Sequence, residues 1–176
     1  MTDPRSMAAA NGTWLTDSRV YNLIWLGRWL ERAEVITRAV NAAARRVAAD
    51  GSTQMTLGEA LVPVARAVGV EVEDKTRLAA ELLLDNEASS AMHCLSNARL
   101  NASQVAPVEL IRIVAEAVLD LQETDATTLD SPERVIALTD GIAVHLSQAH
   151  DAIENRWFGR ESLTEEEVFH RFVQQQ

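Results

Sequence analysis

A single cysteine, Cys94, in 176 residues excludes an intrachain disulfide and a redox Cys-x-x-Cys pair. It falls in an apolar helical pattern, where a small core residue is the ordinary role and a nucleophile the rarer one. Lys75 is the only lysine, so arginine carries nearly all the positive charge. That bias follows genomic composition or, alternatively, suits bidentate contacts to carboxylate or phosphate. Aromatic residues make up 5% against 47% hydrophobic residues, so Ala, Leu and Val must build the core. Seven Gly and four Pro leave few turns and favour long helices over many strands. No apolar run approaches the roughly 20 residues that cross a bilayer. The formal net charge of -10 argues against nucleic acid as a partner. Neither G-x-x-x-x-G-K-[ST] nor G-x-G-x-x-G occurs, so no familiar nucleotide loop is present. Residues 1–15, with Met7-Ala-Ala-Ala-Asn-Gly, read as a disordered leader without the basic-then-apolar order of a signal peptide. The simple expectation is a cytoplasmic chain with one helical domain over 16–176.

What the sequence does have is a long first helix, capped by Thr16 or Asp17 and stopped by Asp50-Gly51. At about 100° per residue, Ile24, Arg28, Glu31 and Val35 share one face, flanked by Tyr21 and Arg32. Leu23, Leu26 and Leu30 take the opposite side, and Trp25, Trp29, Ile36 and Val40 a third. Its first half is apolar nearly all round, the pattern of a helix enclosed by others. Arg28, Glu31 and Arg32 conflict with that setting, since a buried charge needs partners. They form either a solvated, salt-bridged seam or a buried network.

Further along, Thr56-Leu-Gly-Glu59 predicts a capping box, followed by the stripe Leu57, Leu61, Val64, Ala65 and Val68. Pro63 inside it predicts a kink or a later start. Gly69 suits a C-cap, and a short apolar helix over 76–84 ends at Asp85-Asn86. A helix from Glu87 to about Val105 turns Met92, Leu95, Ala98, Ala102 and Val105 inward and puts Arg99 beside that stripe, read by itself as a snorkelling edge residue. Pro107 opens a helix over 108–123, with Leu110, Ile111, Val114, Val118 and Leu121 inward. Ser131-Pro132-Glu133 starts another that runs to about Trp157. Thr164-Glu-Glu-Glu167 opens a terminal helix with Val168, Phe169 and Phe172. The fold class is all-α, a bundle of six or seven helices around the long N-terminal one.

The four histidines suggest no metal site: His145 and His150 are five apart and diverge, while His150 and Glu154 share a face as surface residues do. His93 beside Cys94 points elsewhere on the same helix, so no nucleophile–base pair follows. His170 near Glu166 and Glu167 reads as surface charge.

Two segments carry a resemblance to a known family. Asn22-Leu-Ile-Trp25-Leu-Gly27-Arg28-Trp29-Leu30-Glu31-Arg32-Ala33-Glu34 resembles the signature of the bacterial alpha-E domain family, departing from it at Trp29, where Tyr is usual, and Val35, where Asn is usual. Ser90-Ala-Met-His-Cys94-Leu95-Ser-Asn-Ala98-Arg99-Leu-Asn101-Ala102 is similar to its second motif, with Ser103 replacing a final Arg. The resemblance implies an all-helical fold and association with a circularly permuted ATP-grasp amide ligase. Any ATP and Mg would then belong to that partner, not to this chain. It also singles out Asn22, Arg28, Glu31, Arg32, Arg99 and Asn101 as candidates for binding a partner or an acidic, peptide-like substrate. Trp14, Trp25, Trp29 and Trp157 would wall the same region or pack the core. We expect Arg28, Glu31 and Arg99 to meet inside the bundle, so that Glu31→Gln costs about 3–5 kcal/mol. Such a group fixes helix register or binds a ligand.

The leading functional expectation is an accessory helical component of an amide-ligase system. Two alternatives stand beside it. One is an enzyme using Glu31 as acid or base, which neighbouring cations would hold ionised and make a poor acid. The other is a structural homo-oligomer. Longer members of the family continue into a second similar half, so a homodimer is expected ahead of pairing with a separate alpha-E-like half.

Overall fold

A computed structural model of the chain describes residues 17–49, 55–87 and 89–157, with side chains as far as Glu154. The expected leader, Trp14, the side chain of Trp157 and the terminal segment with Val168, Phe169 and Phe172 lie outside these residues. Among the described residues are six α-helices, two 3-10 turns and no strand. The all-α expectation holds.

The helices are α1 (Asp17–Ala49), α2 (Leu57–Val68), α3 (Leu78–Leu84), α4 (Ala91–Val105), α5 (Val108–Gln122) and α6 (Pro132–Trp157). The 3-10 turns span Lys75–Arg77 and Ala126–Asp130. At 33 residues, α1 is about 50 Å long. It packs chiefly along α4 and α6, and α5 bridges those two, so α1, α4, α5 and α6 close a four-helix ring. The short α2 and α3 pack beside it, α2 mainly against α1.

The core follows from the composition. α1 contributes Leu26, Leu30, Ala33, Ile36, Val40 and Ala44, and α4 faces it with Cys94, Leu95, Ala98 and Ala102. Small residues on both helices let the backbones approach, and no aromatic ring is among the fully buried side chains.

Local capping sets the boundaries. Thr56 and Glu59 make both bonds of the capping box, Glu59 N–H to Thr56 Oγ1 at 3.2 Å and Thr56 N–H to Glu59 Oε2 at 3.0 Å. Gly69 adopts φ 82°, and Val70 N–H reaches the Ala65 carbonyl at 2.8 Å, closing α2. Gly58 is fixed differently: a Cβ there would lie 2.2 Å from the Lys75 carbonyl oxygen, so only glycine lets α2 meet the Lys75–Arg77 turn.

Three expectations need correction. Pro63 lies within one unbroken helix that starts where the capping box says. It is exposed, so water can serve the carbonyl it leaves without a donor. α4 begins at Ala91, not Glu87, because Ser90 caps it by accepting from His93 N–H at 3.1 Å and donating to the Asp85 carbonyl. The first half of α1 is not enclosed by the described residues: Val20, Tyr21 and Ile24 are exposed. The described ring closes on its Leu26–Leu30 side, and the apolar residues turned outward meet no helix among the described residues.

Candidate functional site

The six sequence candidates sit on α1 and α4, two helices that pack against each other, yet they do not converge. Arg28, Glu31, Arg32 and Arg99 are all exposed, and none makes an ion pair with a described residue. Asn22 is half-buried without a side-chain hydrogen bond to the described residues. Asn101 turns back onto its own helix, donating to the Asn97 carbonyl at 2.8 Å, as Asn97 does to that of His93 at 2.9 Å. The expected meeting of Arg28, Glu31 and Arg99 inside the bundle is therefore overturned. Helical twist explains it: Arg28 and Glu31 fall with Ile24 and Val35 on the side away from Leu26, Leu30 and Ala33. Leaving their heads in water avoids a desolvation cost of several kcal/mol per ion.

What α1 assembles instead is an aromatic ladder. Residues four apart stack along one flank, Tyr21 with Trp25 at 6.0 Å and Trp25 with Trp29 at 5.5 Å between ring centres. The ladder ends on α4, where His93 meets Trp29 edge-on at 5.6 Å and is anchored by Nδ1 to the Asn86 carbonyl at 2.8 Å. The guanidinium of Arg28 lies over Trp25 at 5.4 Å and that of Arg32 over Trp29 at 5.3 Å. Each such contact at an exposed site is worth about 0.5–1 kcal/mol and holds the head in place without neutralising it. The result is a strip of oriented positive charge on a chain of net charge -10.

Beside the strip an open groove of about 380 Å³ runs between α1 and the end of α2, lined by Glu31, Arg32, Val35, Ile36, Ala67, Val68 and Ser89. Ser89 fixes its far wall by donating to the Val68 carbonyl at 2.8 Å. Its floor is apolar and its rim carries one acid and one base. Cys94 is fully buried, and burial pushes its thiol up, with Arg32 pulling weakly the other way. It stays a neutral core residue, as its sequence context implied.

The structure also builds a polar cluster that the sequence did not reveal. Asn41 of α1 donates to Thr139 Oγ1 at 2.7 Å and to Asp140 Oδ1 at 2.9 Å on α6. Arg45 Nε donates to Asn41 Oδ1 at 2.7 Å, and its terminal nitrogen reaches both Asp140 oxygens at 2.8 and 2.7 Å. Those bonds from Arg45, then from Asn41, hold the Asp140 carboxyl below its ordinary value. Thr139 is buried and donates onward to the Val135 carbonyl at 2.7 Å. This clasp joins α1 to α6 across the bundle.

The histidines separate as their spacing implied. His145 Nε2 lies 3.0 Å from Asp120 on α5, and His150 lies 4.0 Å from Glu34 on α1. His145 lines an open depression of about 710 Å³ between α5 and α6, with acids Glu109, Glu116 and Asp151, and no sequence candidate reaches it. Among the described residues no three His, Cys, Asp or Glu side chains are placed to share a metal ion, and no helix is long and apolar enough to cross a membrane.

A family model described as a predicted alpha-helical domain with a conserved ER motif matches residues 18–108, just over half of the chain. No curated protein and no solved structure matches.

Proposed function

The chain belongs to the Alpha-E family, and from that premise we propose that it is a binding module, not itself a catalyst, serving an ATP-grasp amide-ligase system. Its ligand is an acidic, peptide-like segment of a substrate or of the ligase, taken along the Arg28–Arg32 strip and into the adjoining groove. One observation carries the reading. The only Glu-Arg pair within 18–108 is Glu31-Arg32, and both residues are exposed and without an ion-pair partner among the described residues. A conserved pair that contributes nothing to the core is accounted for by what it binds. Arginine heads held over indole rings are partly pre-positioned for carboxylates, so less conformational freedom is lost on binding. ATP and Mg belong to the ligase in this proposal, with this chain supplying recognition.

Glu31 as the acid or base of an enzyme finds less support. It has no hydrogen-bonding or ion-pair partner among the described residues, so nothing there orients it for proton transfer.

Titrating the protein with a hexaglutamate peptide while following tryptophan fluorescence tests the proposal. The expected result is a saturable, salt-sensitive change that hexalysine does not produce and that R32A abolishes. Adding the chain to an amide-forming assay with its cognate ATP-grasp protein should raise turnover, less so with R32A. Absence of hexaglutamate binding together with unchanged turnover would sink the reading.

A further inference from the structure

The outward face of α1 repeats in steps of four and three residues: Asp17, Tyr21, Ile24, Arg28, Glu31, Val35, Arg38, Ala42 and Arg45. Every one of these is exposed, with Tyr21 at 60%, Ile24 at 50% and Val35 at 58%. Any one face of a helix has that spacing; what marks this one is that Tyr21, Ile24, Val35 and Ala42 along it are apolar yet exposed, so it offers apolar contacts around its charges to another helix. No described helix of this chain covers it. The buried stripe of α1 lies on the other side, so the helix carries two seams and its own fold uses one.

The outward seam is complementary to itself when run backwards. About a two-fold axis midway between Arg28 and Glu31, Arg28 faces Glu31 of a second copy and Glu31 faces its Arg28. One step out on each side, Ile24 faces Val35, and beyond that Tyr21 faces Arg38. The order along the seam is thus a central pair of opposite charges, flanked by apolar contacts, flanked in turn by a ring and a cation. In parallel pairing, Arg28 would face Arg28 and Glu31 would face Glu31, a like-charge arrangement that costs stability.

We propose that the outward face of α1 is a homodimer interface in which two copies pair antiparallel about an axis between Arg28 and Glu31. The occupant is a second copy because the charges and apolar residues match in that register and clash in parallel. Two-fold contacts are also the commonest oligomer symmetry. Asp17 to Ala42 spans about 39 Å, enough for an interface of roughly 1,200 Å², at the low end of specific ones. For an interface of that size, split between charged and apolar contacts, we expect dissociation in the micromolar range. An antiparallel two-fold also turns the flanks carrying Trp25 and Arg32 of both copies to the same side, leaving Arg32 open. The seam takes up Arg28, Glu31 and Val35, which the strip and groove also use, so in the dimer an acidic ligand keeps Arg32 and competes with the second copy for Arg28.

Charge exchange tests it. Sedimentation equilibrium of the whole chain from ~1 to ~500 µM should show a monomer–dimer equilibrium. R28E and E31R, each placing like charges opposite one another twice, should weaken it by at least about tenfold. The double variant R28E/E31R should restore it to within about threefold of wild type, because the exchanged charges face each other again. All these side chains are exposed, so the variants fold, which circular dichroism verifies. In a second arm, I24C/V35C should form an intermolecular disulfide on mild oxidation, whereas I24C and V35C alone should not, with Cys94 too buried to interfere. A monomer at every concentration, meaning that something else covers the face, would overturn the proposal. So would a dimer indifferent to the single exchanges, or one that the double exchange leaves as weak as either single variant.

Discussion

The two ends of α1 handle their charges in opposite ways. Toward its C-terminal end, Arg45 and Asn41 reach across to Asp140 and the buried Thr139, and the charge becomes a tie between helices. Toward its N-terminal end, Arg28 and Arg32 have no such neighbour among the described residues and lie over the rings of their own helix instead. Both ends are amphipathic and rich in arginine. What separates them is whether a second helix runs close enough on the polar side to offer an acceptor. α6 does so at Asp140, and nothing among the described residues does so at Arg28. The exposed end, not the packed one, holds the Glu-Arg pair. Residues that tie the bundle together and residues left exposed share one helix but not one stretch of it.

The largest effect expected from breaking this comparison comes from the buried seam that both ends share. Leu30 is 1% exposed, and Leu30→Ala should cost about 2–5 kcal/mol in urea unfolding. Ile24→Ala, six residues earlier on the outward face, should leave the stability of the monomer almost unchanged. Equal losses from the two would mean that the N-terminal end is packed after all.

That contrast marks how far the sequence could be read. Helix ends were legible where their signals are local: Thr56 with Glu59, Gly69, and Ser131 before Pro132 each act within a turn. The start of α4 was not, because Glu87 to Ser89 look as helical as the residues after Ser90, and the bond from Ser90 to the Asp85 carbonyl sets the boundary. The candidate residues were legible one at a time, but their direction was not. A stretch apolar nearly all round does not say which side the bundle closes on. The clasp was beyond reach for a simpler reason, since Asn41 and Thr139 are 98 residues apart.

The clasp gives the next effect in size. Asn41→Ala removes the bonds to Thr139 and Asp140 and the acceptor of Arg45 Nε, and should cost about 1–2 kcal/mol. The buried Thr139 hydroxyl keeps its bond to the Val135 carbonyl, which limits the loss. A change below about 0.3 kcal/mol in chemical denaturation would make the clasp incidental.

Acid should weaken the same tie, by less. The Asp140 carboxyl is held below its ordinary value, first by Arg45 and then by Asn41. Its folded value lies under its unfolded one, so its contribution is present above about pH 4 and fades as pH falls through the folded value. The Tm gap between wild type and D140N should therefore be widest near neutrality and close on acidification below pH 4. Both partners are about half exposed, so solvent screening keeps the gap small. A gap that stays constant from pH 7 to pH 3 would show that Asp140 contributes nothing through its charge.

The smallest effect is the most informative about the N-terminal end. Were Glu31 the counter-charge of buried arginines, Glu31→Gln would cost several kcal/mol, because breaking a buried pair leaves an uncompensated charge. It is exposed instead, without an ion-pair partner among the described residues, so the same substitution should shift unfolding free energy by no more than about 0.5 kcal/mol. The measurement belongs at low micromolar concentration, where the proposed dimer is dissociated and its Arg28–Glu31 contacts do not enter. At ten or more times that concentration, the variant should fall behind wild type in Tm, because loss of the charge facing Arg28 of a second copy weakens association and wild type gains stability by mass action. A large loss at low concentration would return Glu31 to the interior. No divergence at high concentration would leave the Glu-Arg pair to the acidic ligand alone.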